Sequence, residues 1–285
     1  MELSIIGAGR TGRTLGLLAR RAGFTIGPVV CRTAAHAREA ASFIGAGRPG
    51  TEPLGAELTI LAVPDGEIPA VARSLRLPRG GVAAHTCGSL GADALRPLRP
   101  AGAIHPLRSF ADPATAAEGF AGTACAIDGD PAAVRVLEAF ARAIGGSPLK
   151  VRSDRKEMYH AGAVFASNYV VAVLEAALRL FQEAGVPRER ATPVLVQLAR
   201  GTLDNVAAVG IPEALTGPIE RGDLATLRRQ ARALSRDLRL RGANLALGGI
   251  AIEVARAKGS LRRSQAASLE AALSGRGPKK ETSRR

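Results

Sequence analysis

Short apolar runs alternate with amphipathic stretches through the first half of the chain. The runs at 3–6, 26–31 and 58–63 have the length and composition of buried strands, and the stretches at 11–22 and 33–43 have helical periodicity. Further strands are predicted at 82–85, 102–105, 123–127 and 148–151, with a helix at 131–144. Strands that alternate with helices in this way predict a mostly parallel sheet that is covered on both faces.

The pattern changes near residue 153, after which long helical stretches replace the strands. Apolar residues at helical spacing extend over 156–184, 188–209, 223–240 and 243–258. We therefore predict an α/β domain at 1–152, an all-α domain at 153–274 and a disordered, polar and basic tail at 275–285. No long linker separates the two domains, so we expect them to pack together around a cleft.

A glycine fingerprint follows the first predicted strand directly. The motif Gly7-Ala8-Gly9-Arg10-Thr11-Gly12 opens a helix, which is where a Rossmann domain binds the pyrophosphate of a dinucleotide. A glycine-rich turn with no ligand is the alternative, but the strand before the motif and the helix after it favour the dinucleotide. We expect cofactor contacts from Gly7, Ala8, Gly9, Arg10, Thr11, Gly12, Arg32, Thr33, Val63 and Pro64.

The residues that end the second predicted strand bear on the choice of cofactor. An NAD-specific site carries Asp or Glu there, whereas this chain has Cys31-Arg32-Thr33. Arg32 can pair with the 2′-phosphate of NADP, with Thr33 as a hydrogen-bond donor, although it could also be an ordinary surface arginine. We therefore expect NADP(H) rather than NAD(H).

Composition and charge narrow the possible classes of protein. The formal net charge is +14, but aromatic residues make up only 3% of the chain and the arginines are dispersed, so no nucleic-acid partner is expected. The surplus of positive charge suits a small anionic substrate instead. The three cysteines are far apart and lack metal-ligand spacing, which indicates free thiols, no metal and a cytoplasmic protein. No signal peptide is visible and no apolar run approaches a membrane span, so no membrane contact is expected.

Two histidines and an arginine are candidates for contacts with a substrate. His85 and His105 each end a predicted strand, at the edge where open parallel sheets bind their ligands. Either histidine could instead cap a strand or hydrogen-bond a loop. Arg108 could pair with a substrate carboxylate or lie solvated at the surface, and the sequence leaves both interpretations open.

The first long helix of the second half carries a polar stripe. Lys156 and His160 are four residues apart and share one helix face, and Ser167 continues that face while Asn168 lies on its flank. A partly solvated helix start would explain such a stripe as well. Its position directly after a nucleotide-binding domain favours a functional role.

Taken together, these motifs resemble a known group of two-domain reductases. The residues that carry the resemblance are Gly7 to Gly12, Val63-Pro64-Asp65, His85, Gly88, His105-Pro106, Phe110, Tyr159-His160, Ser167-Asn168, Thr216-Gly217-Pro218 and Arg221-Gly222-Asp223. The group is the NAD(P)-dependent reductases with a 6-phosphogluconate-dehydrogenase-like helical C-terminal domain, which includes pyrroline-5-carboxylate reductase, ketopantoate reductase and the β-hydroxyacid dehydrogenases. The chain is most similar to a branch of Rossmann-like oxidoreductases whose C-terminal part is a domain of unknown function.

The resemblance implies a function and assigns roles to several residues. It implies an NADPH-dependent reductase of a small carbonyl or imine compound, such as the 2-keto acid ketopantoate or a cyclic imine. A non-catalytic NADP-binding regulatory protein on the same scaffold is the alternative. The helix-borne acid/base lysine of the β-hydroxyacid enzymes matches Lys156, but their asparagine four residues later is His160 here, so the proton donor is Lys156, His160 or both.

The remaining roles complete the predicted site. Asn168 joins Lys156 and His160 as a catalytic candidate. His85, His105, Ser167 and Thr216 are the expected substrate contacts. Helical domains of this group commonly pair between subunits, so the resemblance also implies a homodimer.

Overall fold

A computed structural model describes residues 1–275 and divides the chain into two compact units. The first unit is Met1–Val170, and the second begins at Val171. The sequence placed the change of domain at 152, whereas the structure groups the next helix with the sheet. Apart from Gly275, the predicted disordered tail at 275–285 lies outside the described residues.

The first unit is built on one eight-stranded sheet with the order β3-β2-β1-β4-β5-β6-β7-β8. The strands are β1 (Glu2–Ile6), β2 (Thr25–Val30), β3 (Arg48–Gly50), β4 (Leu58–Leu61), β5 (Val82–His85), β6 (Ala101–Pro106), β7 (Ala124–Gly129) and β8 (Ser147–Lys150). Neighbouring strands are parallel except that β7 runs antiparallel to β6. The first six strands therefore have the order of a Rossmann domain, as the sequence predicted. The short edge strand β3 was not predicted, because it carries no apolar run.

Helices cover both faces of this sheet. They are α1 (Arg10–Arg21), α2 (Ala34–Ile44), α3 (Ile68–Ser74), α4 (Pro113–Glu118) and α5 (Pro131–Ala143), and α6 (Lys156–Ala166) follows β8. Residues of α1, α2, α4 and α5 share one buried cluster with the sheet, and residues of α3 share the other. Adjacent residues of one strand fall in different clusters, as with Ile5 and Ile6, which is the alternation expected of a sheet buried on both sides.

The second unit is helical, with α7 (Asn168–Glu183) entering it from the first. The other helices are α8 (Arg188–Val209), α9 (Ile211–Ala214), α10 (Leu224–Ala233), α11 (Leu238–Lys258) and α12 (Arg263–Leu273). Two of the predicted helices were wrong in extent. The stretch at 156–184 is interrupted at Ser167, whose backbone leaves the helical region at φ −125° and ψ −73°. The stretch at 223–240 is interrupted at Asp237, whose carboxylate caps α11 by accepting from Arg239 N and Leu240 N.

The segment Ser153–Glu183 corrects the expectation that no apolar run approaches the length of a membrane span. It has 31 residues, and the mean hydropathy of its most apolar 18 residues is 1.6. Only 6% of those 18 residues are buried. One such segment is weak evidence for a membrane, because it qualifies by length and composition alone. Its apolar surface nevertheless requires an explanation.

Candidate functional site

The glycine loop between β1 and α1 has the geometry of a dinucleotide-binding turn. Gly7 has a φ of +85°, and its N–H donates to Val30 O at 2.8 Å. A Cβ on Gly7 would lie 2.6 Å from Ala62 O, and a Cβ on Gly12 would collide with Gly7 O. Neither position accepts a side chain, so the loop can stay close to the sheet and leave room above it.

The helix that follows supplies backbone donors to this loop. Gly9 is the N-cap of α1, and Arg10, Thr11 and Gly12 form its first turn. The N–H groups of a first helical turn have no partner within the helix, so they are available to an anion such as a pyrophosphate. The predicted residues of the fingerprint therefore form the turn after β1 and the first turn of α1.

A cleft of about 340 Å³ opens beside the loop. It brings together Gly7, Ala8, Gly9, Arg32, Val63 and Pro64 of the predicted set. Arg13, His36 and Glu67 also line it and were missed. No motif marks these three, because they face the cleft only through the turns of α1 and α2 and the loop after β4.

Two polar residues follow β2, and the first of them, Arg32, lines this cleft. The Arg32 side chain is 87% exposed, and its guanidinium lies 3.9 Å from the Glu67 carboxylate. Thr33 is the N-cap of α2, where its Oγ1 accepts from His36 N at 3.3 Å. Capping uses the acceptor side of the Thr33 hydroxyl and leaves its hydrogen free to donate.

A second group of polar residues lies where β6 ends against α6. His105 Nδ1 is 2.8 Å from the Tyr159 hydroxyl, and the ring of His160 is 5.9 Å from that of His105. A Cβ on Gly88 would lie 2.9 Å from His105 Cε1, so glycine is needed there for the two histidines to approach the loop after β5. Tyr159 was not among the predicted site residues, although it precedes His160 in the sequence.

Burial makes the two hydrogen-bonded groups of this cluster neutral. The pKa of His105 is lowered to about 4, first by burial and then by the nearby His160 and Lys156. Burial also raises the pKa of Tyr159 well above its ordinary value. At neutral pH an uncharged imidazole therefore meets an uncharged phenol.

Lys156, on the same helix as Tyr159 and His160, forms a buried ion pair with Asp128. Its Nζ donates to Asp128 Oδ1 at 2.9 Å and to Cys87 O at 3.4 Å, and both charged side chains are only 2% exposed. Lys156 was predicted to share a helix face with His160, but of the two only His160 lines the pocket beside His105. A buried ammonium needs a counter-charge, which Asp128 on β7 supplies.

His85 is also not in a position to contact a substrate. It is fully buried, its Nδ1 accepts from Cys87 N at 3.2 Å, and its Nε2 lies 3.0 Å from Gly91 O. Burial lowers the pKa of this imidazole. Because both ring nitrogens are occupied by backbone groups, His85 holds the loop after β5, and the expectation of a substrate contact is corrected.

A pocket of about 240 Å³ adjoins His105. It brings together four of the predicted residues, His105, His160, Ser167 and Asn168. Arg108 and Ser109, from the loop after β6, line it as well. The remaining predicted contact, Thr216, belongs to the second unit and is exposed in the turn before α10. Among residues 1–275, no group of three or more His, Cys, Asp or Glu side chains could hold a metal ion.

Comparisons with known proteins agree with this architecture. A Rossmann-like domain model matches residues 1–108, and the domain of unknown function DUF2520 matches residues 123–243. The predicted resemblance is confirmed: the chain consists of a Rossmann-like N-terminal domain followed by a DUF2520 C-terminal domain. No curated protein matches.

Solved structures share the fold over most of the chain. Protein TM1727 from Thermotoga maritima is 25% identical, with a TM-score of 0.74 over 90% of this chain and 99% of its own. BF3122 from Bacteroides fragilis, assigned as an NADP oxidoreductase, is 21% identical, with a TM-score of 0.66 over 91% and 98%. A 1-pyrroline-5-carboxylate reductase from Streptococcus pyogenes is 15% identical, with a TM-score of 0.64 over 90% and 98%. The chain therefore has the fold of NAD(P)-dependent reductases.

Proposed function

We propose that the protein is an NADPH-dependent reductase of a small carbonyl or imine compound, such as a 2-keto acid or a cyclic imine. The observation that carries the proposal is the hydrogen-bonded pair of His105 and Tyr159 beside a pocket, in the same compact unit as the glycine loop. A reduced nicotinamide, when bound, would supply the hydride. The chain itself must then supply a proton and orient the substrate.

A dinucleotide would fit the turn from Gly7 to Gly12: Gly7 and Gly12 let the loop pack tightly against its own backbone, and a Cβ on Gly9 would meet nothing within 4 Å, so the backbone there is open to a pyrophosphate. NADP rather than NAD is supported by Arg32, whose exposed guanidinium can pair with a 2′-phosphate, and by Thr33 and His36 on the first turn of α2. The one carboxylate in this part of the cleft, Glu67, lies beside Arg32. The contact between Arg32 and Glu67 would have to break for Arg32 to pair with the phosphate.

The proton would pass through His105. Its Nδ1 is held by Tyr159, which leaves Nε2 to donate to the oxygen or nitrogen that gains negative charge as the carbon accepts hydride. The Tyr159 phenol then passes its proton to Nδ1 and is reprotonated from solvent, to which it is partly exposed, so the imidazole and the phenol are both neutral before and after the reaction. His160 lines the same pocket and is the second candidate donor, whereas the ion pair of Lys156 argues against that residue.

Turnover and cofactor binding test this proposal. The purified full chain should quench or shift NADPH fluorescence on binding, and it should oxidise NADPH with at least one member of a keto-acid and imine panel. Tyr159→Phe should lower kcat by about 10²–10⁴-fold, the range for general acid–base catalysis, with unchanged NADPH affinity. Tight NADPH binding without any turnover would favour the non-catalytic regulatory protein. Absence of NADPH binding would refute both functions.

A homodimer is part of the same proposal. Twelve large hydrophobic residues from Val171 to Ile250 are at least 36% exposed, among them Leu198 at 65% and Leu238 at 77%. Helix α8 buries only Ala191 and Leu195 of its 22 residues. Monomeric proteins rarely leave so much apolar surface in water, and a second copy with the same helices could cover it.

We also retain a cytoplasmic location, which the three free cysteines support.

A further inference from the structure

The pocket beside His105 contains an arginine without a partner. Arg108 Nε is buried and makes no hydrogen bond, the only such side-chain nitrogen or oxygen among the described residues. Arg108 also takes part in none of the ion pairs found between residues 1 and 275. A partly buried cation without a counter-ion is costly, so its presence calls for a reason.

The glycine that ends α4 leaves space for this guanidinium. Gly119, which ends α4, lies directly against it: a Cβ there would collide with Arg108 Nη2 and lie 3.3 Å from Cζ. The φ of Gly119 is −93°, which any residue can adopt, so the backbone does not require glycine at this position. The space left by the missing Cβ is therefore occupied by the guanidinium of Arg108.

The rest of the pocket is suited to an anion. Ser109, Ser167 and Asn168 supply neutral polar groups, His105 and His160 supply imidazoles, and no carboxylate is among the residues that line it. A planar guanidinium recognises a carboxylate through two parallel hydrogen bonds, which is the strongest contact available to it. A pocket of about 240 Å³ admits only a small molecule.

We propose that Arg108 binds an oxyanion of the substrate, so that this enzyme acts on small carboxylates and discriminates against neutral carbonyl or imine compounds. The assignment to a substrate rests on the proposed reductase function, whereas the anion site itself does not. With its carboxylate on Arg108, the substrate would present its electrophilic carbon beside His105. The same guanidinium could instead bind a phosphate of the cofactor, which the experiment distinguishes.

Matched charged and neutral ligands test the anion site without turnover. Calorimetric titration of the full chain compares oxamate with oxamide, and pyruvate with pyruvamide, with and without NADPH. We expect at least one acid to bind at least tenfold more tightly than its amide, and Arg108→Met to abolish that preference while leaving NADPH affinity unchanged. Equal binding of acids and amides by the unaltered protein would refute the proposal. A loss of NADPH affinity in Arg108→Met would also refute it and assign the guanidinium to the cofactor.

Two further variants separate a binding role from a structural one. Gly119→Ala keeps the charge but displaces the guanidinium, so it should lose the preference for acids as Arg108→Met does. Because Arg108→Met removes an unpartnered cation, it should raise the melting temperature of the ligand-free protein by a few degrees, whereas Arg79→Met at an exposed position should not change it. A lower melting temperature for Arg108→Met would show that Arg108 stabilises the fold rather than binds a ligand. If acids bind through Arg108 but no substrate is turned over, the anion site stands and the reductase function fails.

Discussion

The buried ion pair of Lys156 and Asp128 yields the strongest test of how α6 is held against the sheet. Replacing Lys156 with Met keeps most of the volume but leaves the Asp128 carboxylate buried with one weak contact, from Ala92 N at 3.4 Å. Removal of one partner of a buried pair typically costs about 3–5 kcal/mol, because the other charge remains uncompensated. We expect Lys156→Met to lower the free energy of unfolding by an amount in that range.

A double variant distinguishes lost charge compensation from lost packing. Asp128→Asn keeps an acceptor for Ala92 N but removes the negative charge, so Lys156→Met combined with Asp128→Asn should recover most of the stability that Lys156→Met loses. Urea denaturation followed by circular dichroism would give the four free energies of the cycle. Lys150→Met, at an exposed position on β8, is the matched control and should change the free energy of unfolding by less than about 0.5 kcal/mol.

Two results would refute this reasoning. A loss of less than about 1 kcal/mol in Lys156→Met would mean that the pair is hydrated as surface pairs are. If the double variant loses as much free energy of unfolding as the two single variants together, the two side chains are not energetically coupled. The pH profile of the residual activity adds a functional test: if Lys156 donates the proton, its removal deletes one limb of the profile, whereas a positioning role lowers kcat and keeps both limbs.

Three further predictions concern the cofactor, the imidazole and the helical unit. Arg32→Ser should weaken NADPH binding by at least tenfold and NADH binding by less than twofold in fluorescence titrations, since only NADPH has a 2′-phosphate; equal losses would refute the assignment. The folded pKa of His105 is about 4, against 6.5 ordinarily, so the unfolded chain binds the extra proton between these values and the protein loses stability as pH falls from about 6.5 to 4. His105→Asn should flatten that part of the stability curve, and a curve parallel to that of the unaltered protein would contradict the shift. Leu198→Glu should convert a dimer into monomers in light scattering, whereas Glu189→Gln on the same helix should not; an unaltered protein that is monomeric, or that binds lipid vesicles through this surface, would refute the homodimer.

The glycine loop and the sheet could be predicted because their signals are local. The turn at Gly7 and the first turn of α1 are adjacent in sequence, so one motif specifies both. By contrast, His85 and His105 both end strands of one sheet, and no local pattern tells them apart. The difference lies in the loop after β5, which folds back so that Cys87 N and Gly91 O contact the two ring nitrogens of His85.

The role of Lys156 was also beyond the reach of the sequence. Its partner Asp128 is 28 residues earlier, on the strand that runs antiparallel to β6, and the prediction of a mostly parallel sheet gave no register for it. The break at Ser167 was missed for a related reason, since apolar residues continue at helical spacing on both sides of it. Tyr159 could have been found, because it is one turn from Lys156 and adjacent to His160.

The spacing of Lys156, Tyr159 and His160 explains how a buried lysine can serve a site that it does not touch. A helix places residues three and four apart on one side, so an anchor at Lys156 fixes where Tyr159 meets His105 and where His160 enters the pocket. The lysine also acts by its charge, since it is among the groups that lower the pKa of His105. Lys156→Met should therefore raise the pKa of His105, which the chemical shift of its ring protons would report. An unchanged pKa in a folded Lys156→Met variant would limit the lysine to anchoring the helix.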